Sequence, residues 1–236
     1  MATVFSGTTR QNGGPGKGVL SWAEICTRLQ EPVGLVCPTL LHVLRHGETD
    51  TNARNVVTGS QDIDLTVNGR RQARDVGECL ERQYHAAFHS DLRRSRDTLR
   101  FALGTGRVDV GAIYPDRRLN ERRLGDLEGT RSRSILAYAE GNLRYAPEGG
   151  ENYLDVAQRL MSFLLDLTHW PQGNGPRKLL ICSHMGPIRI ICGIVEERSG
   201  AAEVMAQSFG NANLIRLEWR RLALPEFLKG EIPLWP

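Results

Sequence analysis

A three-layer α/β/α sandwich built on a mostly parallel sheet is the fold that this sequence predicts, as one domain. Three observations carry the prediction. Short apolar runs bounded by turn residues alternate with stretches of helical period along most of the chain. The composition, 40% hydrophobic and 24% charged, is that of a globular protein and argues against a disordered one. The length, 236 residues, suits one sizeable domain with extensions.

Residues 1–19, Gly-rich from Gly13 to Gly18, read as a flexible tail. No acidic residue precedes Glu24, and Arg10 and Lys17 are present, as in a transit peptide, but the glycine run fits a tail better and no secretory h-region exists. Residues 20–31 predict a short helix with Ser21 as N-cap, Glu24 completing a capping box and Pro32 ending it. Leu40 to Leu44, between Pro38 and Gly47, reads as a buried strand. Residues 66–84 read as a helix capped by Thr66, with Val67, Ala73, Val76 and Leu80 as its apolar face. Residues 86–89 make a strand, 91–103 an arginine-rich helix and 107–114 another strand. Helices follow at 132–140 and 152–168, then a central strand at 178–182, a helix from about Pro187 and a last strand at 213–219. The reading divides the chain into an N-terminal extension (1–38), the domain (39–219) and a C-terminal tail (220–236).

The net charge of +3 and the lack of a long basic run argue against a nucleic-acid partner. No apolar stretch is long enough to span a bilayer, so no membrane partner is expected. Five cysteines, Cys26, Cys37, Cys79, Cys182 and Cys192, without CxxC spacing, fit neither a disulfide framework nor a zinc site. A reducing, cytoplasmic location follows as the expectation. A homodimer is left open.

Two histidines stand in equivalent settings. His46 follows the strand at 40–44 and His184 the strand at 178–182, each with a glycine close behind, Gly47 and Gly186. In an open parallel sheet both would lie at the carboxyl edge, where ligands bind. The helix opening after His184 offers free backbone N–H groups to an anion. Arg45 precedes His46, and Arg94 sits at a strand-to-helix junction; arginine binds phosphate through paired charge-assisted hydrogen bonds. A neutral imidazole in such a pocket can attack phosphorus and form a covalent phosphohistidine. The leaving alkoxide needs an acid, and Glu121 is the best placed, with Asp126 and Glu128 of the same turn as alternates. Each residue also has a plainer reading. Arg94 sits among Arg93, Arg96 and Arg100 on what could be a solvated helix face, Glu121 could pair with Arg122 or Arg123, and Asn52 could cap a turn. Arg117, Arg118, Arg122, Arg123, Arg131 and Arg133 form a loose cluster, mostly solvent-facing, of which one or two could take a carboxylate or second phosphate.

The segment LRHGETDTN resembles the signature of the histidine phosphatase superfamily, the phosphoglycerate mutase-like family. The likeness extends over residues 41–219 through TGSQDIDLTVNGRRQA, SDLRRSRDT, LNERRLGDLEG, GGEN, CSHMGPIR and NANL. It implies a phosphoglycerate mutase-like fold with His46 as nucleophile, Arg45, Arg94 and His184 holding the phosphate, and Glu121 as proton donor. It also implies a pocket lined by Asn52 and by the backbone around Thr58 and Gly59, with no metal or organic cofactor. Many relatives have glycine where this chain has Met185, whose backbone N–H can still serve the phosphate and whose side chain would shape the substrate pocket. The expected activity is hydrolysis of a small-molecule phosphomonoester by a histidine acid phosphatase-type enzyme. The short stretch from Gly129 to Gly150 favours hydrolysis over a mutase reaction, because water can reach the phosphohistidine. A phosphoprotein-binding module without catalysis is the rival from another class.

Overall fold

The computed structural model describes residues 18–131, 140–170 and 176–232. The first helix, α1 (Trp22–Arg28), forms as expected: the Ser21 hydroxyl accepts from the Glu24 backbone while the Glu24 carboxylate reaches back to the Ser21 N–H. It stops well before Pro32, at the cap residue Leu29.

The elements after it are β1 (Val33–Arg45), α2 (Asp50–Ala53), α3 (Val67–Gly77), β2 (Gln83–Tyr84), β3 (Ala86–His89), α4 (Arg93–Leu103), β4 (Asp109–Val110) and β5 (Ile113–Pro115). Beyond two single-turn 3₁₀ segments come α5 (Tyr153–Thr168), β6 (Arg177–Ser183), α6 (Met185–Val195), α7 (Ala201–Ala206), β7 (Leu214–Leu222) and α8 (Glu226–Lys229). The main sheet has the order β5-β3-β6-β1-β7, parallel throughout except for the antiparallel edge strand β7.

Strand alternation sorts the core into two layers. Leu41, Val43, Phe88, Leu179 and Ile181 face one side and pack with α1, α5 and α6. Leu44, Ala87, Leu180 and Cys182 face the other and pack with α3 and α4. The expected three-layer sandwich is the observed architecture. No helix among the described residues is long and apolar enough to cross a membrane.

Several local expectations need correction. β1 begins at Val33, not Leu40, because pairing with β7 resumes beyond an irregularity between Gly34 and Thr39. Pro38 lies inside that unpaired stretch, where a missing N–H costs no ladder bond. The limits drawn at 38/39 and 219/220 therefore cut through β1 and β7. Ile25 and Leu29 on one side, and Phe227 and Leu228 on the other, are buried in the same core. α3 ends at Gly77 rather than 84, and Val67 is 83% exposed, off its apolar face. A Cβ at Gly77 would come within 2.3 Å of the Ala102 carbonyl, so this glycine lets α3 close on α4. The strand expected at 107–114 is two, broken at Gly111, where a Cβ would stand 2.7 Å from the His85 carbonyl. The helix expected at 132–140 and most of the N-terminal tail lie outside the described residues.

His42, midway along β1, is buried with its Nδ1 2.5 Å from the Tyr84 hydroxyl and its Nε2 without a partner among the described residues. Burial, followed by repulsion from Arg216, pushes its pKa down to about 4, against attraction from Glu81. The unfolded chain then binds a proton that the folded one refuses between about pH 6.5 and 4. Stability should be fully present above that window and decline as pH falls through it. Urea midpoints measured from pH 7.5 to 4.5 should show this slope, shallower in His42→Leu; a flat profile would contradict it.

Candidate active site

The sheet register builds the site. β1 and β6 are neighbours in register, Arg45 opposite Ser183, so the next residues, His46 and His184, leave the sheet side by side. Their ring centroids lie 5.1 Å apart. β3 flanks β6 on its other side with His89 opposite Cys182, which brings Ser90 to the same edge. The first turn of α4 then places Arg94 against them. This is the carboxyl edge expected for a ligand site.

The hydrogen bonds assign the imidazole tautomers. His46 Nδ1 is 2.8 Å from the Gly47 carbonyl, which can only accept, so Nδ1 carries the hydrogen and Nε2 keeps its lone pair. For His184 the order is reversed. Arg94 Nε, which can only donate, lies 3.2 Å from Nδ1, so Nε2 carries the hydrogen and donates to Ser90 Oγ at 2.7 Å. Burial, with the positive charges of Arg94 and Arg45 adding to it, holds His46 well below the usual imidazole range; burial and Arg94 do the same for His184. Both rings are neutral at pH 7. Sequence reasoning missed Ser90 as the residue that fixes His184, although its position directly after a strand in SDLRRS was the available signal.

Arg94 is 1% exposed, so its plain reading as a solvated helix face does not hold. Its Nη2 donates to the Gly59 carbonyl at 2.8 Å and its Nη1 to that of Gln61 at 2.5 Å. Burial lowers its pKa to about 10, which leaves it charged at neutral pH. Gly59 has φ +52°, a conformation that favours glycine, and a Cβ there would displace the Glu128 carboxylate. Arg45 donates to the Phe209 carbonyl through Nη1, while its buried Nε has no partner among the described residues.

Asn52 does cap a turn. Its Oδ1 takes the Thr49 N–H and hydroxyl, and also Asn211 Nδ2 at 3.0 Å. Asn211 donates to the His46 carbonyl too, at 3.2 Å, so the NANL segment clamps the histidine, a role the sequence did not disclose. The Thr58 hydroxyl is tied to Thr51. Met185 opens α6, whose N-cap residue His184 makes no side-chain capping bond, so the helix start lies at the site edge.

Glu121 sits where α6 begins. One carboxylate oxygen accepts from the Arg122 backbone at 2.9 Å and the other from the Gly186 N–H at 3.5 Å, so two backbone amides hold it. A Cβ at Gly186 would come within 2.6 Å of this carboxylate. A side chain at Gly186 would therefore displace the Glu121 carboxylate, so glycine there preserves the placement of Glu121. Glu128 is occupied elsewhere, holding Ser60 and the Leu124 N–H.

The arginine cluster is less exposed than expected. Arg118 is buried between Asp116 (2.7 Å) and Asp166 (2.6 Å), and Arg122 is buried over the Tyr153 ring. Arg117 and Arg123 line a cleft of about 410 Å³ that begins at Glu121, while Arg133 lies outside the described residues.

A model of the histidine phosphatase superfamily, branch 1, matches residues 41–223. The chain belongs to the histidine phosphatase superfamily. Within the superfamily it is 36% identical over 160 residues to a glucosyl-3-phosphoglycerate phosphatase of Mycolicibacterium vanbaalenii, covering 63% of this chain and 70% of that one. It is 32% identical over 163 residues to 2,3-bisphosphoglycerate-dependent phosphoglycerate mutase 2 of Gloeobacter violaceus, covering 64% and 73%. Among solved structures, a mycobacterial glucosyl-3-phosphoglycerate phosphatase in complex with VO3 superposes with a TM-score of 0.67 at 29% identity, over 79% of this chain and 98% of the other. The mostly parallel sheet with helices on both faces is therefore that of phosphatases in this superfamily.

Proposed function

We propose that the protein hydrolyses small phosphomonoesters through a phosphohistidine on His46. The observation that carries this is the pair of buried, neutral imidazoles with opposite tautomers, set between Arg45 and Arg94. His46 Nε2 attacks phosphorus, the ester P–O bond breaks, and Glu121 gives its proton to the departing alkoxide. Arg45, Arg94, His184 and the first N–H groups of α6, from Met185, stabilise the phosphoryl oxygens. Water then attacks the phosphohistidine, Glu121 takes a proton from it, and orthophosphate leaves with His46 restored.

Relatives named as mutases favour a second reading, in which the phosphohistidine returns its phosphate to another hydroxyl. One relative named as a phosphatase, that of Mycobacterium tuberculosis, aligns over 210 residues and 93% of its own length, and supports hydrolysis. Turnover of 3-phosphoglycerate in ¹⁸O-labelled water separates the two. Hydrolysis should put the label into released phosphate and yield no 2-phosphoglycerate, with or without added 2,3-bisphosphoglycerate. Isomer without labelled phosphate would establish the mutase reading. No turnover of this ester or of nitrophenyl phosphate would favour the binding module.

A further inference from the structure

We propose that the segment 18–20, which precedes the family span, forms a wall of the cleft beside Glu121, and that Val19 in it is a specificity-determining residue that grips a carbon-rich face of the leaving alcohol. That an alcohol departs there rests on the reading above.

The segment is anchored by its backbone. The Gly18 carbonyl accepts from Arg118 Nη1 at 3.3 Å. The Leu20 N–H donates to the Ser162 hydroxyl at 2.9 Å, and the Leu20 carbonyl accepts from Gln158 Nε2 at 2.7 Å. These anchors are themselves fixed. Arg118 is buried between Asp116 and Asp166, and Ser162 and Gln158 belong to α5. Beyond Leu20 the chain enters α1, whose Ile25 is buried in the core. Val19 is therefore bracketed on both sides, although it ends a glycine-rich stretch that reads as a tail.

The side chains divide between core and cleft. Leu20 packs against the core, whereas Val19, 45% exposed, lines the cleft. Glu121 lines it too, so Val19 borders the space into which the leaving group departs. Leu92, the N-cap residue of the helix that carries Arg94, lies on the same cleft. Val19 and Leu92 are its apolar side chains among the described residues, and the rest of the lining is polar or charged.

An apolar side chain left part-exposed in a polar cleft gains when carbon-rich surface covers it. Free phosphate offers no such surface, and an ester with a longer carbon chain does. The family model matches from residue 41 onward, and the phosphoryl-holding residues all lie within its span. Contact with the alcohol from Val19 is thus added by a segment outside that span.

Binding to His46→Ala protein by calorimetry tests the wall without turnover. Hexyl phosphate should bind at least about tenfold tighter than ethyl phosphate, because its further methylenes can cover Val19 and Leu92. Val19→Asp, at an exposed position, should cut that advantage to within about threefold, and Val19→Ala should cut it in part. Gln158 lies outside the cleft lining and acts only by positioning the segment. Gln158→Ala should therefore also reduce the advantage in part. Equal affinities for the two esters, or an advantage that survives in both Val19 variants, would overturn the wall. If wild-type protein hydrolyses neither ester while the binding pattern holds, the phosphatase reading fails and the wall stands. Hydrolysis of both esters without the binding pattern would leave the phosphatase reading and remove the wall.

Discussion

His46→Ala is expected to lower turnover by on the order of 10⁴-fold or more, the scale seen when a nucleophile acting within a coupled set is removed. The fold should survive. Among the described residues the His46 side chain makes one hydrogen bond, to the carbonyl of the next residue, and its strand is held by partners on both sides. Wild-type protein quenched in alkali after brief contact with ³²P-labelled substrate should carry label that acid removes, as a phosphoramidate requires. The variant should carry none, while its thermal midpoint stays close to wild type. Label on the variant, or turnover near the wild-type rate, would remove His46 from the mechanism.

The second large effect separates acid from clamp. Glu121→Gln should slow phosphoryl transfer from an alkyl ester by about 10²–10⁴-fold, the usual contribution of a positioned general acid. With nitrophenyl phosphate the same change should cost far less, because that leaving group departs without a proton. Arg94→Ala should damage both substrates alike, since under the proposed mechanism it removes charge that stabilises the phosphoryl group itself, beside His184. The measurement is single-turnover formation of phosphohistidine, which isolates this step from the later attack of water. Similar losses for the two leaving groups in Glu121→Gln would assign proton donation to another residue. Asp126 would then be the next to test, because Glu128 is committed to the Gly59–Ser60 turn.

The parts of this arrangement that local pattern controls were legible in the sequence. The apolar runs marked the strands, and two histidines just past two of those runs lie adjacent because β1 and β6 pair in register. Ser21 with Glu24, and Thr66 alone, marked helix starts because capping is decided within three residues. What escaped depends on contacts distant in sequence. The early half of β1 pairs with a strand some 190 residues on, so no local signal reveals it: Val33 sits opposite Leu222. The burial of Arg118 depends on Asp166, and the fixing of His184 on Ser90. Asn211 clamps the His46 carbonyl from the far end of the chain. Charge-rich segments such as 117–123 are hard to read, because burial of an arginine is decided by partners that the segment does not contain.

Arg94 is tethered by the carbonyls of Gly59 and Gln61 before any ligand arrives. A long side chain held in one rotamer has little freedom left to lose on binding. Such a rigid cradle makes no distinction between a phosphoryl group still attached to its alcohol and the orthophosphate released from it. Product inhibition is the natural corollary, with discrimination between ester and free phosphate falling to whatever grips the alcohol beyond Glu121.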